Sequence, residues 1–171
     1  MKETDLTLEI VGRGSSLPPF SARECTQTLT PLPQGSLRRS INGTLIWIGN
    51  KGYQKYRSTI SCKDKACPSL DGVWKGTLLR VGCLQTLTQT ILKDTLQLQL
   101  EREPTSFYIY DKNGKLWPGE KRDSRWLALS PKFSGGFITY HPLLMMIVKD
   151  YTLETDEWGL SVRWTLELEE E

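Results

Sequence analysis

Four cysteines and a single histidine are the residues of this chain with the widest chemical reach: Cys25, Cys62, Cys67, Cys83 and His141. Four thiolates can hold zinc or an iron–sulfur cluster when their spacing supplies close pairs. Here four residues separate Cys62 from Cys67, Cys83 lies sixteen further on, and Cys25 is remote. That irregular spacing predicts small buried thiols ahead of a metal site, with a Cys62–Cys83 or Cys62–Cys67 disulfide as the competing arrangement. His141 ends the aromatic-rich run Phe137-Ile138-Thr139-Tyr140 and precedes Pro142. A lone imidazole can act as a general base, but no Ser or Cys nucleophile stands at a recognisable spacing from it. His141 is therefore read as structural. The acidic end Glu167-Leu168-Glu169-Glu170-Glu171 reads as a solvated tail before it reads as a cation site, and Asp156-Glu157 as a loop. These residues point away from an enzyme and call for no cofactor or metal.

Two binding chemistries remain. Trp47, Trp74, Trp117 and Trp126 could stack on sugar rings, the basis of a receptor- or carbohydrate-binding reading, although tryptophan on strands is more often core or interface. Lys51-Gly52-Tyr53-Gln54-Lys55-Tyr56-Arg57 interleaves basic and aromatic residues, as single-stranded nucleic-acid binders do. A net charge of only +2 argues against nucleic acid as a partner. The charge is unevenly placed instead. Residues 1–80 hold twelve Lys/Arg against six Asp/Glu, and residues 150–171 hold one against eight. Such polarity suits a subunit docking on another copy of itself, positive end to negative end. No run approaches the roughly 18 apolar residues of a membrane helix, and the first residues lack the apolar stretch of a signal peptide. The expectation is a soluble protein made in the cytoplasm, with no membrane partner.

The scaffold that must position these residues is written in a period of two. Thr95–Leu100 and Ser161–Leu168 alternate apolar and polar residues, turning one face of an extended strand inward. Further strands are expected at Leu6–Val11, Tyr56–Cys62, Thr77–Leu84, Thr86–Ile91, Phe107–Tyr110, Phe137–His141 with Leu143–Val148, and Trp158–Leu168. Residues 85–92 could alternatively begin a short helix. Asn42-Gly43 and Asn113-Gly114 each sit between strand-like runs and predict hairpins closed by type I′ turns. Gly49-Asn50-Lys51-Gly52, Pro68–Gly72, Trp117-Pro118-Gly119 and Ser134-Gly135-Gly136 mark other turns. The pattern predicts an all-β fold, an antiparallel sandwich or barrel. Residues 1–36 are expected to form an N-terminal strand and a Pro/Gly-rich arm, and 37–171 a single β domain.

One set of runs begins with Tyr56-Arg57-Ser58-Thr59-Ile60-Ser61-Cys62, then Pro68-Ser69-Leu70-Asp71-Gly72-Val73-Trp74-Lys75-Gly76 with Cys83. Ser21-Ala22-Arg23 with Thr26-Gln27-Thr28-Leu29, and Leu37-Arg38-Arg39 before Asn42-Gly43, belong to the set. So do Asp156-Glu157-Trp158-Gly159 and Trp164–Glu169. Together these runs resemble small structural, tail-associated proteins of tailed bacteriophages. The resemblance covers most of residues 18–169 and implies a virion component without catalytic residues, such as a tail, tail-tip or baseplate ring subunit. Its implied partners are further copies of itself and other tail proteins of the virion. Lys65-Ala66-Cys67 and Leu84–Arg102 depart from the pattern.

The arm carries Phe20, Leu29 and Leu32, which are costly to leave in water. They are expected to lie on a neighbouring subunit. The acidic end, with Glu169 and Glu170, is expected to meet a partner's basic surface built from residues such as Arg38, Arg39, Lys55 and Arg57.

Overall fold

A computed structural model of the chain describes residues 4–49, 52, 54–159 and 161–171. Among these no residue is helical, and every strand pairing is antiparallel. The strands are β1 (Thr7–Ile10), β2 (Gly14–Ser15), β3 (Cys25–Pro31), β4 (Gly35–Arg39), β5 (Leu45–Gly49), β6 (Tyr56–Asp64), β7 (Leu78–Gly82) and β8 (Leu87–Ile91). They continue as β9 (Gln97–Gln99), β10 (Glu103–Asp111), β11 (Leu116–Trp117), β12 (Gly119–Lys121), β13 (Trp126–Leu129), β14 (Gly136–Thr155) and β15 (Val162–Glu170).

The twenty-residue strand β14 is the spine. Its second half lies in the order β2-β1-β7-β14-β15-β6-β3. Its first half is flanked by β8 and by β10, which carries β11. Alternation along each strand builds the interior. In the larger half, Leu8, Leu79, Val81, Leu144, Met146, Val148, Trp164, Leu166, Leu168 and Ile60 form one buried face, closed over by Leu6, Ala22, Leu70 and Val73. In the smaller half, Ile91, Ile109, Ile138 and Tyr140 meet Leu98, Leu127 and Leu129 of the separate sheet β12-β13-β9, with Leu100 and Phe133. Two sheets facing each other across apolar side chains make this half a small sandwich.

Pro142 does not divide β14. It pairs with Pro104 of β10, beside a register shift, at the seam where β14 passes from one half to the other. Two prolines placed opposite each other leave no ladder N–H to be satisfied, so the strand continues through them. Residues 87–91 form a strand and not the helix held open from sequence; Thr88 and Thr90 alternate with Leu87, Gln89 and Ile91 against Gly136–Tyr140.

Both Asn-Gly hairpins form, with a turn chemistry different from type I′. In the second, the Gly114 N–H donates to the Asp111 carbonyl (3.0 Å) and the Asp111 N–H to the Lys115 carbonyl (2.9 Å). Gly114 has φ +80, while Asn113 is not in the left-handed region. This is a type I turn over Asp111–Gly114 followed by a glycine bulge. The same bonds recur at Ser40–Gly43, where Gly43 has φ +77. Glycine supplies the left-handed position, and the preceding asparagine serves as an ordinary turn residue.

Candidate assembly surface

Residues 12–36 are not irregular throughout. Thr26, Thr28 and Thr30 alternate with Cys25, Gln27 and Leu29, and this period of two pairs β3 with β6 from Cys25↔Cys62 to Pro31↔Tyr56. Leu29 thereby packs against the chain's own core, half-buried. Leu32 is half-buried just past the strand, its N–H donating to the Lys55 carbonyl at 2.8 Å. Phe20 remains 49 % exposed, at φ 65, with the Arg23 guanidinium 5.0 Å from its ring centre. Arg23 in turn clasps buried Asp64 at the end of β6, at 2.8 Å. Its guanidinium holds the Asp64 carboxyl down at about 2, and backbone N–H groups of Arg23 and Lys65 reinforce the effect against burial. The Trp164 indole N–H donates to the Ser21 carbonyl at 2.9 Å, fixing the same segment onto the core.

At the other end of β6 the expected intermolecular charges find partners within the chain. Arg57 pairs with Glu169 at 2.8 Å, and Lys149 approaches Glu169 at 3.4 Å. Arg57 holds the Glu169 carboxyl below its ordinary range. Glu170 accepts from Arg102 at 3.0 Å and from the Tyr56 N–H at 2.9 Å. Arg102 is buried, also donates to the Gln54 carbonyl, and lies 5.2 Å from the Tyr56 ring centre. Cross-strand register explains this: Glu169 sits opposite Arg57, so opposite charges meet without a partner. The sequence showed the charges but not their register.

Arg38 and Arg39 are different. They lie on β4, which with β5 makes a two-stranded sheet of its own, running from Gly35↔Gly49 to Arg39↔Leu45. Every residue of β5 is exposed. Leu37 is 60 % exposed, Ile41 fully, and Leu45, Ile46, Trp47 and Ile48 between 40 and 56 %. Both faces of β5 are therefore apolar and in water. The hairpin base is pinched by glycines: a Cβ on Gly35 would lie 2.6 Å from the Cα of Gly49. Near the base, Trp47 lines a cleft with Leu32, Pro31, Pro33 and Gln54.

The remaining candidates settle into structural places. Cys25 and Cys62 face each other across β3 and β6, a pairing that the spacing did not suggest; both are free thiols, and burial pushes both up. Cys83 is buried and pushed up to about 12 by desolvation, and Cys67 is exposed. Among the described residues no group of three or more His, Cys, Asp or Glu has metal-site geometry. His141, half-buried in β14, donates from Nδ1 to the Cys83 carbonyl at 3.0 Å; a carbonyl can only accept, which fixes the tautomer. Trp117 packs edge-on against Phe133 at 5.7 Å and donates to Asp111. Trp126 is 40 % exposed on β13, and Trp74 75 % exposed in the loop between β6 and β7. Of the basic–aromatic run, Lys51 and Tyr53 lie outside the described residues, and Tyr56 and Arg57 are engaged as above. Asn50 of the turn preceding that run also lies outside them. Among the described residues no helix is long and apolar enough to cross a membrane.

No protein-family model matches the chain, and no curated protein matches it.

Proposed function

We propose that this chain is a structural subunit of a bacteriophage virion, placed in a ring of the tail or tail tip and held there by contacts with further copies of itself and with other tail proteins. The observation that carries the reading is the β4–β5 hairpin. A two-stranded hairpin is at best marginally stable alone in water. This one nevertheless displays five leucine, isoleucine and tryptophan side chains on its strands, each at least 40 % exposed. Burying one such side chain is worth about 1.5–3 kcal/mol. Several kilocalories of favourable burial therefore wait on a surface that this chain does not itself supply. The quoted runs that resemble tail-associated proteins support the virion setting. The histidine and cysteines, each engaged or buried in the scaffold apart from Cys67, support a role without chemistry. Mass spectrometry of purified particles tests the reading. Peptides of this chain at a stoichiometry of several copies per tail are expected, and their absence from the particle would overturn it.

A further inference from the structure

The hairpin has a counterpart at the opposite end of β6. β3 ends and β6 begins beside the base of β4–β5, since Pro31 pairs with Tyr56. β6 then runs nine residues to Asp64, which pairs with Val162 at the foot of the β14–β15 hairpin. At about 3.4 Å per residue the two hairpins are separated by roughly 27 Å along the strands. The β14–β15 tip carries Leu153, 46 % exposed, and Trp158, 82 % exposed, on either side of Glu154 and Glu157. One end of β6 thus lies beside apolar side chains with Arg38 and Arg39, and the other beside apolar side chains with Glu154, Asp156 and Glu157, against which the same hairpin sets one base, Arg163. Among the described residues no ion pair within the chain holds Arg38, Glu154 or Glu157.

Resting on the self-assembly proposed above, we infer that the β4–β5 hairpin of one copy docks on the β14–β15 tip of the next. The occupant is a second copy because the complementary surface, in charge and in apolar character, lies on this chain. It lies beyond the far end of β6, so the contact joins unlike ends of two copies. A two-fold contact between like ends would oppose Arg38 to Arg38 or Glu157 to Glu157. A head-to-tail contact closes into a ring where the rotation per subunit allows it. Apolar burial supplies the strength, and the charges set the orientation.

Two charge reversals test this. In Arg38→Glu/Arg39→Glu both ends of the subunit become acidic; in Glu154→Lys/Glu157→Lys both become basic. All four positions are exposed, so the changes leave the core intact. By analytical ultracentrifugation the unaltered chain is expected as an oligomer, and each variant alone at the 19.5 kDa monomer mass. An equimolar mixture of the two variants is expected to return to the oligomer, since each supplies the end that the other now needs. Oligomerisation of either variant alone, or a mixture that stays monomeric, would overturn the contact while leaving the virion assignment to the particle measurement. An unaltered chain that stays monomeric at every concentration would overturn both the contact and the self-assembly beneath it.

Discussion

Replacing Asp64 by Asn tests how the N-terminal segment is held. Asp64 accepts from the Arg23 side chain at 2.8 Å and from the backbone N–H groups of Arg23 and Lys65 at 2.8 and 2.7 Å. Its carboxyl stands at about 2 against an ordinary 3.8. At about 1.4 kcal/mol per pH unit that difference corresponds to roughly 2.5 kcal/mol. Arg23 is 39 % exposed, and screening by water reduces this to about 1–2 kcal/mol. The folded value lies below the unfolded one, so the stabilisation is complete above about pH 4 and disappears as the pH falls towards 2. Urea unfolding of the unaltered chain and of Asp64→Asn, followed by tryptophan fluorescence from pH 7 down to 2, reads the gap directly. Other carboxylates held low by partners, such as Glu169 and Asp150, titrate in both proteins and cancel in the difference. The gap is expected near 1–2 kcal/mol at pH 7 and close to zero at pH 2. A gap that stays constant across this window would show that the charge of Asp64 is not what fastens the segment.

Gly114→Val should cost about 1 kcal/mol or more in chemical denaturation, because φ +80 is hostile to a β-branched residue; an unchanged midpoint would contradict the bulge geometry. Trp164→Phe removes the donor to the Ser21 carbonyl and leaves a void in the core, for a loss of about 2–4 kcal/mol by the same assay. Deleting residues 1–36 should unfold the chain, because Leu6, Leu8 and Ile10 are core and β3 completes the sheet; a cooperative melt of the truncated protein would refute that.

Most strands with one face in a core were legible in the sequence, and so was the exposed β4–β5 pair; β13, whose Leu127 and Leu129 are core, was not. The Ser161–Leu168 alternation became β15 with Trp164, Leu166 and Leu168 inside, and both Asn-Gly pairs marked hairpins. β3 was obscured because prolines and glycines crowd both sides of it and Pro31 ends it, while threonine alternating with Cys25, Gln27 and Leu29 is only weakly apolar. That threonine period was the signal available. Pro142 broke the expected β14 in two because only the facing Pro104, thirty-eight residues away in sequence, removes the need for a ladder hydrogen bond. The surface was half legible. Arg38 and Arg39 stood out as basic residues. Arg57, Glu169 and Glu170 looked equally available, and only register across β6 and β15 shows that they are engaged within the chain. The exposure of Ile46 and Ile48 was hidden altogether, because an apolar strand reads the same whether or not anything covers it.

The central claim is that the β4–β5 hairpin is an assembly surface. It is tested most directly by the sedimentation of Ile46→Ser/Ile48→Ser beside the unaltered chain. These side chains are 46 and 56 % exposed on a sheet of their own, so the far-ultraviolet circular dichroism and melting midpoint should hardly change. The unaltered chain is expected above its 19.5 kDa monomer mass and the variant at it. A folded variant that sediments as the same oligomer as the unaltered chain would contradict the account.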